Sequence, residues 1–223
     1  MIAEQFGPFE LPPFAARFNI APTQPVAVVR RAAAGSGREL AWLRWGLVPA
    51  WAKDAAIGAR LINARAETAS GKPAFRAAMR SRRCLVVADG FYEWQRTGRA
   101  KQPYLFQLRG GRPFAFAGLW EAWRRPDDSL LETCTLLTTG ANELVRPIHD
   151  RIPAILPPTA YQAWLDPAVE NAGTLAPLLR PYPGSEMEAR AVSDFVNSPA
   201  HESPRCIEPP KEVAPGARIE KKE

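Results

Sequence analysis

The sequence has few of the residues that build metal centres and disulfide scaffolds. Among its 223 residues are three cysteines and two histidines, and no two cysteines stand as a C-x-x-C pair. An odd, scattered set of thiols is typical of a reducing compartment and argues against a disulfide framework and a zinc cluster. Motifs for nucleotide or flavin binding are also missing. We therefore expect no metal and no cofactor.

Long apolar runs are missing as well. No stretch approaches the roughly 18 apolar residues of a membrane helix, and the first residues have neither the basic nor the apolar region of a signal peptide. The sequence predicts a cytoplasmic monomer that contacts no membrane. A hydrophobic content of 46% is ample for one domain over residues 1–212. Residues 213–223 are rich in charge and predict a flexible tail.

Positive charge is concentrated in one part of the chain. Ten basic residues and three acidic ones lie between Arg60 and Lys101, and the rest of the chain is close to neutral. A basic surface beside tryptophans suits nucleic acid, because affinity for phosphates is largely electrostatic and unpaired bases stack on aromatic rings. A solvated basic helix and loop explains the charge equally well.

Strand patterns outnumber helix patterns. Strands are predicted at 25–31 and 40–48, on both sides of the DG turn in RCLVVADGFYEWQ, on both sides of the GG turn in PYLFQLRGGRPFAFAGLW, and in LLETCTLLTT. We interpret the GG turn as a hairpin. Helices are predicted in the first seven residues, at 73–83, in GANELVRPI, after Pro158 and in NAGTLAPLLR. The pattern indicates an α+β fold: a single domain of curved, mostly antiparallel β-sheet, barrel-like, with several short peripheral helices.

Three segments carry polar groups in otherwise apolar surroundings. Asn63 and Arg65 alternate with small residues, so on an extended chain they share one face; a solvated edge strand would look the same. Glu93 lies between two aromatic residues, where partial desolvation raises a carboxyl pKa and suits proton transfer, although a surface ion pair is the common alternative. His149 precedes an acid and an arginine, and imidazole is the usual proton carrier near neutral pH.

Nine motifs of this sequence resemble, in order, those of the SOS response-associated peptidase family. They are FNIAPTQ (18–24), WGLVPAWAKD (45–54), INARAET (62–68), FR (75–76), RRCLVVADGFYEW (82–94), KQPY (101–104), FAGLWEAW (116–123), TTGAN (138–142) and HDRIPAIL (149–156). The resemblance extends from Phe18 to about Pro210. It implies a sensor of abasic sites in single-stranded DNA, associated with the nucleoid when bound. The implied chemistry is self-processing that exposes an N-terminal cysteine, whose amine and thiol capture the abasic aldehyde as a thiazolidine.

The resemblance also implies roles for individual residues. Asn63 matches an asparagine that orients the amino-terminal residue. Glu93 matches the acid/base carboxylate, and His149 matches the histidine that assists ring opening and reversal of the crosslink.

Five further residues match positions that hold DNA in the family. Arg65 and Arg151 match arginines that bind phosphates around the lesion, a task that suits the guanidinium fork. Pro22 and Trp51 lie in loops that pack against the bases beside the abasic gap. Lys72 is a further predicted phosphate contact.

The sequence departs from the family at its start. The family pattern begins Met-Cys-Gly-Arg, well ahead of a helix like IAEQFG, whereas this sequence begins Met1-Ile2-Ala3. We expect that the native start lies upstream, because the first helix has no cap residue and the other catalytic positions are kept. Two alternatives are a DNA-binding protein without covalent chemistry and a cysteine hydrolase that pairs Cys84 with His149, the latter less favoured because no oxyanion-hole motif is present.

Overall fold

Runs rich in β-branched and aromatic residues form the strands of the molecule. The computed structural model describes residues 2–7, 9, 15–32, 37–98 and 100–210. Within these, the strands are β1 (Pro25–Arg31), β2 (Arg38–Trp45), β3 (Asn63–Arg65), β4 (Arg83–Ala88), β5 (Phe91–Thr97), β6 (Ala100–Leu108), β7 (Phe114–Arg124), β8 (Leu130–Gly140), β9 (Arg151–Pro153), β10 (Ile155–Leu156) and β11 (Met187–Ala191). The α-helices are α1 (Ile2–Phe6), α2 (Ala66–Ala69), α3 (Arg76–Ser81), α4 (Tyr161–Leu165) and α5 (Ala172–Leu175).

The larger sheet closes on itself as a barrel. Its strands pair in the order β7, β4, β1, β2 and β8, and β8 then pairs with β7. These pairings are antiparallel except for β2 with β8, which run parallel. β3 and β9 attach to β8, and β10 attaches to β7. A separate sheet has the order β11, β6, β5. The predicted α+β fold of curved, mostly antiparallel sheet is confirmed.

Short helices cover the outside of the barrel and bury its apolar surface. Phe6 of α1 is fully buried and stacks on Tyr161 of α4, with ring centroids 5.3 Å apart. Arg83 is buried at the start of β4 and donates to the carbonyl oxygens of Met79, Trp164 and Asp166. The guanidinium thereby satisfies carbonyl groups at the ends of α3 and α4 and attaches both helices to the barrel.

Several predicted elements are confirmed with changed bounds. β1 has the predicted limits, whereas β2 ends at Trp45 because Gly46 adopts a φ of +125°. The helix predicted at 73–83 is shorter, at 76–81. The segment GANELVRPI forms consecutive turns and not a regular helix, with Asn142 Oδ1 accepting from the amide of Val145 at 3.0 Å.

The hairpin predicted across the GG turn is wrong. Gly110 and Gly111 do form a turn, with φ values of +80° and +65°. The strand before it, β6, pairs with β5 and β11, and the strand after it, β7, pairs with β4, β8 and β10. The turn therefore carries the chain from the three-stranded sheet of β11, β6 and β5 into the barrel. β7 pairs with barrel strands, where most of its residues are buried.

Two further observations bear on the predicted organisation. No helix in the described ranges is both long enough and apolar enough to span a bilayer. The predicted tail at 213–223 lies outside the described residues.

Candidate functional site

The segments with predicted site residues meet at one end of the barrel. Because β1 and β2 are antiparallel, the start of β1 and the end of β2 lie at the same rim. β3 and β8 both run parallel to β2, so their carboxyl ends point to this rim too. β4 ends there, since it is antiparallel to β1, and the chain turns into β5. β9 begins there, with Arg151 opposite Gly140.

Glu93 lies on β5, opposite Tyr104 of β6. Its neighbours in sequence point to the other face of the strand. The Tyr92 hydroxyl donates to the carbonyl of Phe18 at 2.7 Å, and the indole of Trp94 donates to Asn197 Oδ1 at 2.7 Å. Glu93 is half-buried, and burial raises the pKa of its carboxyl above the usual value. A raised pKa makes this carboxyl better suited to deliver and recover a proton than an ordinary glutamate.

His149 stands next to Glu93 at the rim. The charge of His149 lowers the pKa of Glu93 and that of Asp150 raises it, although burial is the larger influence on that carboxyl. The backbone of Arg151 positions the ring, because its amide nitrogen lies 3.0 Å and its carbonyl oxygen 3.1 Å from His149 Nδ1. The imidazole is exposed and its Nδ1 lies 3.3 Å from Asp150 Oδ1. The predicted acid/base pair is thus brought together.

Asn63 and Arg65 are both exposed on the short strand β3, with buried Ala64 between them. β3 lies against β8 in parallel register, with Asn63 opposite Leu136 and Arg65 opposite Thr138. The indole of Trp45 donates to the carbonyl of Ile62 at 2.8 Å and fixes the entry to the strand. The alternation predicted for these two residues therefore places both side chains on the solvent face of the rim.

Arg151 is held by a carboxylate that the sequence analysis did not single out. Its Nη1 and Nη2 atoms donate to the Oε1 and Oε2 atoms of Glu67, each at 2.8 Å, and Nη2 also donates to the carbonyl of Thr138. Arg151 lowers the pKa of the Glu67 carboxyl, and Arg65 contributes to the same shift. Glu67 lies inside the motif INARAET, two residues after Arg65, so the sequence did carry a signal for it.

The remaining predicted contacts lie around this rim. Pro22 is exposed in the turn before β1, and Thr23 beside it has a φ of 74°. Trp51 is 61% exposed in the loop after β2, an unusual position for a large aromatic side chain. Lys72 is exposed in the turn after α2, where its amide bonds to the carbonyl of Thr68 at 3.2 Å. The aromatic ring and the cations are therefore available to a ligand at the rim.

The cysteines are unsuited to nucleophilic attack. Cys84, Cys134 and Cys206 are all free and buried. Burial raises the pKa of the Cys84 thiol well above its usual value and that of Cys134 to about 12. Since the thiolate is the reactive form, the geometry gives no support to a hydrolase that uses Cys84. Among the described residues, no cluster of three or more His, Cys, Asp or Glu side chains is placed to bind a metal ion.

The sequence is similar to one protein family over most of its length. Residues 1–199 match the family described as SOS response associated peptidase (SRAP). The chain is 47% identical over 192 residues to the abasic site processing protein YoqW of Bacillus subtilis, a match that covers 86% of this chain and 85% of that protein. It is 35% identical over 214 residues to the abasic site processing protein HMCES of Gallus gallus, covering 83% of this chain and 63% of that protein.

Solved structures agree in fold. A crystal structure of a protein from Bacteroides thetaiotaomicron has a TM-score of 0.75 at 28% identity, over 84% of this chain and 82% of that one. One from Bordetella bronchiseptica has a TM-score of 0.70 at 31% identity, over 78% of this chain and 86% of that one. The match over most of the sequence, together with the motifs gathered at the barrel rim, establishes that this chain belongs to the SOS response associated peptidase family.

Proposed function

We propose that this protein processes abasic sites in single-stranded DNA through a covalent protein–DNA crosslink. The observation that carries the proposal is the pairing of Glu93, whose pKa is raised by burial, with the exposed imidazole of His149 at the barrel rim. Relatives named abasic site processing proteins, at up to 47% identity, support the choice of substrate. The exposed Trp51 ring supports a single strand, because unpaired bases stack on aromatic rings.

The roles proposed for the DNA-binding residues follow from their exposure and charge. Arg65 and Lys72 bind phosphates on either side of the lesion, and Arg151 reaches a phosphate through the Nη1 hydrogen that Glu67 does not occupy. Pro22 and Trp51 pack against the bases that flank the gap. The abasic sugar then lies over Glu93 and His149.

The proposed chemistry uses an amine and a thiol on one N-terminal cysteine. The neutral amine, with an ordinary pKa of about 7.7 to 8.0, attacks the aldehyde of the open sugar and forms an imine with loss of water. The thiolate then adds to the imine carbon and closes a five-membered ring. Glu93 protonates the leaving hydroxyl, His149 assists opening of the sugar, and Asn63 orients the amine. Removal of the initiator methionine by the same Glu93 exposes that amine.

A denaturing gel tests the covalent reaction. The protein is prepared with an N-terminal Met-Cys-Gly-Arg extension and a spacer before Ile2, and is mixed with a single strand that contains one abasic site. We expect a slowly migrating covalent band that is lost when the added cysteine is replaced by alanine. Glu93→Gln slows its formation about 100-fold, as expected on loss of a general acid, whereas the exposed Glu188→Gln on β11 does not. If the extended wild type forms no band, the covalent proposal is wrong.

Non-covalent binding is the second candidate function. It is favoured by the burial of Cys84, Cys134 and Cys206, which leaves none of the three in position to attack a sugar at the rim. In that case the protein without the extension binds an abasic single strand in a native gel but gives no band after denaturation. A covalent band from the protein without the extension would contradict this candidate.

A further inference from the structure

We propose that Glu67 is a positioning residue that limits the affinity of the rim for the phosphates of a DNA strand. Its carboxylate fixes the Arg151 guanidinium and limits the number of hydrogens that Arg151 offers to a phosphate. This inference rests on the proposed function, because it concerns DNA at the same rim.

The hydrogen bonds of Arg151 leave little of its guanidinium free. One hydrogen of Nη1 and one of Nη2 go to the two Glu67 oxygens, and the second hydrogen of Nη2 goes to the carbonyl of Thr138. Nε is buried. A single Nη1 hydrogen therefore remains for a ligand, although an arginine with a free fork makes two parallel bonds to a phosphate. With Glu67 in place, Arg151 makes a weak and directional phosphate contact.

The pair also connects the two halves of the site. Glu67 is on α2, directly after the strand that carries Asn63 and Arg65, and Arg151 begins β9, two residues after His149. β3 and β9 both pair with β8, which already holds them side by side. The bidentate bond between Glu67 and Arg151 adds a side-chain link across these segments and keeps the guanidinium in one orientation at the rim.

The charge of Glu67 opposes non-specific binding. The carboxylate is about half exposed and lies close to both Arg65 and Arg151, which together lower its pKa. A phosphate that approaches these arginines meets a like charge at short range. An undamaged strand and an abasic strand both bring phosphates to these arginines, so repulsion from Glu67 weakens the binding of both strands by the same factor.

Fluorescence anisotropy on the full chain tests this inference. Wild type and Glu67→Gln are titrated with a labelled undamaged single strand and with the same strand carrying a tetrahydrofuran residue, an abasic analogue that cannot react. For Glu67→Gln we expect about fivefold tighter binding to the undamaged strand at low salt, the effect of removing one nearby unit charge. The gain on the tetrahydrofuran strand is equal, because both strands meet the same charge at the rim. The plot of log K against log salt steepens by about 0.7, as expected for one added phosphate contact.

Glu170→Gln is the matched control. Glu170 forms an exposed ion pair with Arg80 at 2.7 Å, and neither residue is among those predicted for the site. This variant loses the same charge from the same basic surface, so any general effect of net charge appears in it as well. Glu67→Asp keeps the charge and binds both strands with nearly the wild-type affinity. Circular dichroism melting shows whether each variant is folded.

The outcomes separate this inference from the proposed function. If wild type binds neither strand, the proposed function fails. If wild type binds but Glu67→Gln matches Glu170→Gln in affinity and salt slope, the role of Glu67 is wrong and the proposed function stands. Weaker binding by Glu67→Gln to either strand also overturns the role.

Discussion

Replacement of Glu93 by glutamine should stabilise the protein near neutral pH. Burial raises the pKa of this carboxyl in the folded chain, so its charged form is disfavoured there relative to the unfolded chain. A group of this kind contributes its full stability below its unfolded pKa, about 4.3, and loses that contribution as the pH rises through the folded pKa. Glutamine has nearly the same shape and does not titrate, which isolates the effect.

The pH dependence of this difference in the free energy of unfolding follows from the binding of one proton. Between the unfolded and folded pKa values the folded chain holds up to one more proton on Glu93 than the unfolded chain. The free energy of unfolding of wild type therefore falls, relative to Glu93→Gln, by at most about 1.4 kcal/mol per pH unit across that window. The difference is flat below the window, and it is flat again once Glu93 is ionised in both states.

Urea denaturation at several pH values between about 4 and about 8 measures this difference. The control is Glu188→Gln, because Glu188 is exposed on β11 opposite Gln107. We expect the Glu93→Gln advantage to grow with pH while the Glu188→Gln difference stays constant. If the advantage of Glu93→Gln does not change with pH, or shrinks as the pH rises, the argument that burial perturbs Glu93 is refuted.

Three further predictions concern the scaffold, and each is checked by urea denaturation. Arg83→Met leaves buried carbonyls at the ends of α3 and α4 without a donor and should cost about 3 kcal/mol; unchanged stability would contradict this role. Gly118→Ala should cost about 1–3 kcal/mol, because the added Cβ would lie 2.8 Å from Val86 Cγ2 and 2.9 Å from Cys84 Sγ. Thr23→Asn should add up to about 1 kcal/mol, since Asn tolerates the φ of 74° better than a β-branched residue does; destabilisation would show that the Thr23 side chain has contacts that outweigh the strain.

The sequence predicted local structure well where neighbours along the chain decide it. The limits of β1 follow from its own apolar run, and α1 ends at Phe6 before Gly7, which has a φ of +137°. The hairpin predicted across Gly110 was wrong because it depended on which strands pair, and neighbours along the chain do not decide that. Turn chemistry predicts that the chain reverses there, but it does not say which strands pair afterwards, and packing inside the barrel decided that β7 joins β4 and β8.

In the candidate site, too, some features are visible in the local sequence and others depend on strand pairing. Asn63, Arg65, Glu93 and His149 stand out in the sequence as polar groups in short segments, and the family resemblance assigned them to one site; their roles stay a prediction. The contact between Glu67 and Arg151 was not identifiable, because it joins residues 84 apart and depends on a parallel pairing of β3 with β8 and an antiparallel pairing of β9 with β8. No local pattern encodes that register. Non-local strand pairing determines which charges face one another at the rim, and so it sets the charge balance that the phosphates of a bound strand would meet there.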